Sequence, residues 1–423
     1  MEERGYDVVV VGGGPAGSTA GAVLARHGRR VLVLEKDKFP RYHIGESLMP
    51  YCWFTLDRLG LAGRMAASHF PKKYSVQFVS TNGKASQPFY FFQHYDHPSS
   101  TTWQVLRSEF DQMLLENARA AGAEVMEETR ATDFLRDGAA VAGVRAVSKA
   151  GEALQFRAPL TIDASGRDAL GVNRNRWRAS DPNLKKIALW TYYRGALRDP
   201  GLDEGATTVA FLPDKGWFWY IPLHDDLVSV GIVAEHEYLF RATKDRGAIF
   251  DREAEVNPWV KEHLATGRRV NAPGLDDGPF YTTSEWSYRS AYGAADGLIL
   301  AGDAFGFLDP VFSSGIFLAL KSGELAADAA HEALAAGDVS APRFAGYAEQ
   351  VSRGMESMRK LVYAFYDREF SMREFVTRYP HLRGDVTDCL IGNLMRDFTD
   401  LFAAVGEFAR LPEPAAHGRP FGA

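Results

Sequence analysis

Cysteine is nearly absent: Cys52 and Cys389 are the two in 423 residues. Two thiols build neither a disulfide framework nor a cysteine metal cluster, so a reducing cytoplasm is the expected compartment. Positive charge is short as well. The formal net charge of −6 argues against nucleic acid as the main partner, because phosphate binding needs a surplus of Lys and Arg. No run approaches the ~18 apolar residues of a membrane span. The N-terminal MEERGYDVVVV lacks a signal peptide's long apolar stretch and cleavage site. Seven histidines precede residue 240, among them His43, His69, His94, His97 and His224. None pairs at metal-ligand spacing with an acid or a cysteine, so no metal is expected. No G-x-S-x-G hydrolase elbow occurs. What is present, 46% hydrophobic and 24% charged residues, is ordinary for a globular chain, and the length predicts two or three structural regions. The 12% aromatic share points to a large apolar pocket.

The stretch YDVVVVGGGPAGSTAGAVLARHGRRVLVLEK predicts a strand, a glycine turn, a helix and a second strand. Val8 to Val11 form the continuous apolar run of a parallel strand buried on both faces. Gly12, Gly14 and Gly17 then fit G-x-G-x-x-G. Gly12 permits the turn, Gly14 admits a pyrophosphate close to the backbone, and Gly17 lets helix and strand touch. The helix N-terminus offers free N–H groups to phosphate. Glu35, ending the second strand, is placed to accept from a ribose. In this context the fingerprint is strong evidence for a dinucleotide.

Further segments favour FAD over NAD: RYHIGESLMP at Arg41 to Pro50, WQVLRSEFDQML at Trp103 to Leu114, TIDASG at Thr161 to Gly166, and DGLILAGDAFGFLDPVFSSGIFLAL at Asp296 to Leu320. In the last, a buried strand stops at Gly302-Asp303, where the acid can accept from a ribityl hydroxyl, and FSSG opens a long helix. WFWYIP adds W-x-W-x-I-P at Trp217, Trp219, Ile221 and Pro222. In this order the motifs resemble the p-hydroxybenzoate-hydroxylase-like flavoproteins. The Trp motif and DPVFSSG resemble, within them, the flavin-dependent halogenases that act on phenols and pyrroles, often tethered to a carrier protein.

The resemblance implies an α/β Rossmann-like FAD domain with an inserted antiparallel β-sheet domain and C-terminal helices. We expect the FAD domain at 1–72, 100–180 and 285–340, the sheet domain at 73–99 and 181–284, and helices over 341–423. It implies an FAD site formed by Gly12, Gly14, Pro15, Ala16, Gly17, Glu35, Lys36, Arg41, Gly45, Glu46, Ser47, Gln104, Arg107, Asp303, Pro310, Gly315 and Ile316. With no second dinucleotide fingerprint, reduced FAD is expected from a separate NAD(P)H-dependent flavin reductase. Chloride or bromide would bind the N–H groups of Ser314 and Gly315, which otherwise bond the flavin edge.

A halogenase must keep its substrate off the flavin and carry hypohalous acid to it. Trp217 and Trp219 alternate on a strand and share one face, with Phe218 and Tyr220 on the other. Two indoles make a rigid wall there; the alternative is an aromatic strand packing a sheet core. The resemblance assigns the carrying lysine to HFPKKYSVQF, where spacing to Phe78 selects Lys73 over Lys72. Adjacent lysines on an extended segment face opposite ways, so one reaches inside. Ser75-Val76 and FVST depart from the family's usual small pair and Phe-x-Trp-Gly. These departures keep a second enzyme open, a flavin monooxygenase hydroxylating an aromatic substrate. Residues 184–235 alternate as antiparallel strands, joined by SVQFVST and QPFYFFQHY. The stripe of Val362, Phe365, Tyr366, Phe370, Met372 and Phe375 reads as core, or as a cover over an aromatic substrate. Arg167, Arg174, Arg176 and Arg178 read as a solvated loop, or as a dock for an acidic carrier protein.

Overall fold

The computed structural model describes residues 5–213, 216–276, 278–283, 287–367 and 369–413. The expected domain limits at 1, 284, 285 and 423 lie outside these residues.

Val8–Val11 is fully buried, paired in parallel with Val31–Leu34 on one side and Leu160–Asp163 on the other. Leu298–Leu300 and Glu124–Met126 extend the sheet in parallel, and Ala294–Ala295 adds an antiparallel edge. At Gly12 the chain turns with φ of 101° and enters the helix Pro15–Arg26, which begins with proline in its first turn. A Cβ at Gly17 would lie 1.8 Å from the Gly12 carbonyl oxygen, so only glycine allows this helix to cross the strand so closely. The loops that follow Val11, Leu34, Asp163 and Leu300 therefore gather at the carboxyl edge of the sheet, where α/β folds bind ligands. Asp163 ends its strand by accepting from the N–H groups of Ser165 (3.0 Å) and Gly171 (2.6 Å), which fixes the DASG turn.

The second large sheet runs Arg268–Val270, Lys186–Arg194, Leu227–Glu235, Trp217–Pro222, Thr207–Phe211, Ser75–Val79, Phe89–Tyr90, with Tyr281–Thr283 also on Lys186–Arg194. It is not wholly antiparallel. Thr207–Phe211 pairs in parallel with Ser75–Val79, a pairing that requires a long crossover; the FAD-side segments between residues 79 and 207 supply it. Phe91–Gln93 leaves the sheet as a short 3-10 turn. The region expected as sheet alone also holds the short helix His236–Leu239 and, after it, Arg246–Val256 and Pro258–Leu264. The two longer helices cover the outer face, so Phe218 and Tyr220 pack with Phe250, Trp259 and Val260 in a separate core. Trp217 and Trp219 face inward, into the main core. The helices Ser314–Ala336 and Ala345–Tyr366 pack together, and shorter helices at 372–378, 383–391 and 399–405 follow.

Candidate active site

A cavity of about 780 Å³ opens between the two sheets. Its wall carries Gly12, Gly14, Pro15, Ala16, Glu35, Lys36 and Arg41 from the first βαβ unit. Gly45, Glu46, Ser47 and Arg107 follow from the next segments, and Asp303, Pro310, Gly315 and Ile316 from the last. Across from them stand Trp217 and Trp219, with their ring centroids 6.3 Å apart. The Trp219 indole lies over Gly231, where a Cβ would come within 2.2 Å of the ring. Gly231→Ala should therefore force Trp219 off its seat. We expect a loss of about 1–3 kcal/mol, typical of overpacking, read as a lower urea midpoint, together with weaker flavin binding.

Four expected site residues stand behind this wall. Gly17 makes the close helix–strand crossing. Gln104 is fully buried and donates to the Gly205 carbonyl (2.9 Å) and Thr207 Oγ1 (2.8 Å), so its side chain braces the wall rather than facing the cavity. Ser314 is buried in the first turn of its helix. Lys73 is also behind the wall, 2% exposed, whereas Lys72 is exposed. Lys73 Nζ donates to Ser47 Oγ at 2.8 Å and to the Leu48 carbonyl at 3.3 Å. Ser47 Oγ in turn is 2.8 Å from Thr207 Oγ1, and both Ser47 and Thr207 line the cavity. Burial lowers the Lys73 ammonium to about 7.

The donor set suits FAD. Free N–H groups at the start of Pro15–Arg26 and the Arg41 guanidinium suit a pyrophosphate. Glu35 is held by the N–H groups of Gly13 (2.7 Å) and Asp37 (2.9 Å) on the side where a ribose would lie. Asp303 suits a ribityl hydroxyl. At Gly315 an added Cβ would meet nothing within 4 Å, which leaves the helix start open to a flat ring.

The tryptophan halogenase family model matches residues 92–377, and the FAD-dependent oxidoreductase model matches residues 7–172. The chain belongs to the flavin-dependent halogenases. A chlorinase of 1H-pyrrole-2-carbonyl peptidyl-carrier protein from Pseudomonas fluorescens is 28% identical over 93% of this chain and 90% of its own length. A brominase of the same carrier-bound pyrrole from Pseudoalteromonas luteoviolacea is 32% identical over 86% of each. Among solved structures, the flavin-dependent brominase Bmp2 superposes with a TM-score of 0.85, at 29% identity, over 96% of this chain and 97% of that one. The myxobacterial chondrochloren halogenase CndH gives 0.79 at 31% identity, over 97% and 99%.

The halogenase has a second cavity, of about 940 Å³, beyond the tryptophan wall. Phe78, Phe89, Phe211, Phe312, Phe365 and Phe370 line it, with Tyr366 and Met372. The C-terminal stripe therefore divides. Val362 and Phe375 are core, while Phe365, Tyr366, Phe370 and Met372 face a cavity. Helical periodicity selects a face but cannot say whether that face is filled or hollow. Lys73 lines neither space but is linked to both. It touches the cofactor-side wall through Ser47 and stands 5.7 Å over the Phe91 ring, which meets Phe89 edge-on at 6.2 Å.

Sequence reasoning missed other parts of the halogenase wall. Tyr42, His43, Trp190 and Thr207 line the first cavity. Tyr192 donates to Glu46 at 2.7 Å and Trp190 to Tyr42 at 2.6 Å. Burial raises Glu46 to about 7 and lowers His43 to about 3, so His43 is neutral. Of the four arginines read as a solvated loop or a carrier dock, Arg174, Arg176 and Arg178 are exposed, and Arg167 and Arg174 also reach the rim of the same cavity; Arg174 donates to the Thr132 carbonyl at 2.6 Å. Three groups on different elements converge elsewhere. His69 Nε2 is 2.7 Å from Glu109 and His224 Nε2 is 3.1 Å from it, a grouping that spacing along the chain could not reveal and that bears on the expected absence of a metal-type cluster.

Proposed function

We propose that this halogenase chlorinates or brominates an electron-rich aromatic ring, phenol- or pyrrole-like, delivered on a carrier protein. The observation that supports this reading is that buried Lys73 bonds Ser47 on the wall of the first cavity and stands over Phe91, which packs against Phe89 on the wall of the apolar one. Oxygen would take two electrons from halide, giving hypohalous acid, and two from reduced FAD, which a separate NAD(P)H-dependent reductase brings. Gly12, Gly14, Arg41, Glu35 and Asp303 would hold the FAD. The N–H groups at the start of the helix Ser314–Ala336 would hold the halide, that of Gly315 on the cavity wall and that of Ser314 just behind it. The two indoles exclude the substrate ring from the first cavity. Lys73 then handles hypohalous acid, donating a hydrogen bond as the ammonium or taking halogen as the amine. With a pKa of about 7 it reaches both forms near neutrality. The aromatic walls of the second cavity suit the acceptor ring. The carrier tether rests on the two pyrrole halogenases.

Reduced FAD, oxygen and bromide or chloride should convert a pyrrole-2-carbonyl carrier thioester to a product in which hydrogen is replaced by halogen, read by intact-protein mass. A gain of oxygen in the presence of halide would establish the monooxygenase instead. Turnover of the free acid but not the thioester would remove the carrier from the reading.

A further inference from the structure

The two cavities meet at one hydrogen-bonded chain. Trp217 lines the cofactor cavity and Tyr366 the apolar one. Trp217 Nε1 donates to the Tyr366 hydroxyl at 2.8 Å, and that hydroxyl donates to Asp309 Oδ2 at 2.9 Å. Asp309 Oδ1 accepts from the Val311 N–H at 3.1 Å, which ties the chain to the turn just before Ser314. All three side chains are buried. They come from three distant parts of the sequence: the sheet, the loop before the long helix, and the last residue of Ala345–Tyr366. Lys186, whose Nζ lies 4.5 Å from the centre of the Tyr366 ring, pairs with Glu235 at 3.0 Å and closes the far side. Burial raises Asp309 to about 6, which leaves it an acceptor at neutral pH.

A phenol is an unusual choice for such a buried position unless its hydroxyl is needed. Here it accepts from one cavity's wall and donates to the loop of the proposed halide site, so neither phenylalanine nor a smaller residue could replace it. We propose that Tyr366 is a positioning residue: anchored on Asp309, it holds the Trp217 indole as the partition between the cavities, so that active halogen leaves the cofactor cavity by way of Lys73. The inference rests on the reading that the apolar cavity takes the acceptor ring. Its consequence is a coupling between the end of the helix Ala345–Tyr366, which walls the acceptor site, and the loop that precedes the halide donors.

The test uses Tyr366→Phe in the full chain. In protein labelled with 15N-tryptophan and free of flavin, the Trp217 indole N–H signal, assigned by its loss in Trp217→Phe, should shift and exchange faster with solvent. During turnover, the share of halogenating equivalents caught by a free-halogen trap rather than by substrate should rise about 5-fold, the scale of one lost hydrogen bond. Flavin affinity should stay the same, which a general loss of structure would not allow. Asp309→Ala removes the acceptor and should repeat Tyr366→Phe, and it carries the test if the latter does not fold. An unchanged indole signal or an unchanged trapped share overturns the proposal. A separate variant, Leu390→Trp, fills the apolar cavity. Full product formation in that variant would overturn the acceptor-site reading while leaving the indole measurement to decide the partition.

Discussion

Lys73→Ala should cut halogenated product by at least ~100-fold, the scale of losing one positioned catalytic group, while flavin binding and oxygen consumption stay near wild type. The side chain does not line the cavity proposed for FAD, so flavin binding and the reaction with oxygen should not depend on it. Hypohalous acid should still form and appear in a trap such as monochlorodimedone. Lys72→Ala should behave as wild type, because Lys72 is exposed on the opposite side of the strand. Full product yield from Lys73→Ala would defeat the assigned role.

The same lysine carries a stability signature independent of turnover. Its folded pKa is about 7 against an ordinary 10.5, lowered by burial. Between these values the unfolded chain binds the proton that the folded chain has released. Wild-type stability should therefore rise with pH across about 7 to 10.5. Lys73→Met has no such group. Its stability advantage over wild type should be greatest at pH 6 and should shrink as pH rises through that window. Urea midpoints of the two proteins at pH 6, 8 and 10 measure it; a constant difference would place the charge in water.

The contiguous parts of the site were legible in the sequence because local chemistry and position coincide there. Gly12, at a φ of 101°, and Gly17, whose Cβ would strike the Gly12 carbonyl, admit no other residue in that turn, and Val8–Val11 reads as buried on both faces because it is. The alternation of Trp217, Phe218, Trp219 and Tyr220 also translated directly into two faces, each with its own core. What stayed hidden depends on distant pairings. Gln104 belongs to a motif that resembles a flavin contact, yet Gly205 and Thr207, about a hundred residues on, take its amide group. The parallel pairing of Val76 with Thr207 has no signal in either strand. The Trp217–Tyr366–Asp309 chain joins residues that look like sheet, helix stripe and loop when read separately.

Arg107→Ala should be the most destabilising single change at the cofactor cavity, costing about 3–5 kcal/mol at pH 7, the range for breaking a buried ion pair. Arg107 and Asp111 are both buried, at 6% and 0% exposure. The guanidinium donates to the carboxylate from Nε at 2.8 Å and from Nη2 at 2.9 Å. Its Nη1 also holds the Ile44 carbonyl (2.8 Å) and the Gly45 carbonyl (3.2 Å), fixing the turn that lines the cavity. Burial works to raise Asp111, but Arg107 and then Arg41, 3.0 Å away, hold it below the usual carboxylate range. That depressed pKa stabilises the fold above pH 3.8, and the contribution is lost as pH falls through the folded value. Without Arg107, Arg41 alone faces a buried charge, and the Asp111 pKa should climb. The variant can then relieve its cost by taking up a proton, so the gap to wild type should narrow between pH 6 and pH 4. Asp111→Asn in the Arg107→Ala background should recover more than half of the loss, because the stranded charge is gone. Flavin affinity should stay reduced in that double variant, since the Ile44–Gly45 turn is still unsupported. Urea unfolding across this pH range and flavin titration of the two variants are the measurements. A loss under about 1 kcal/mol at pH 7, or a gap that does not narrow with acid, would show that the pair is solvated and that the turn is held by something else.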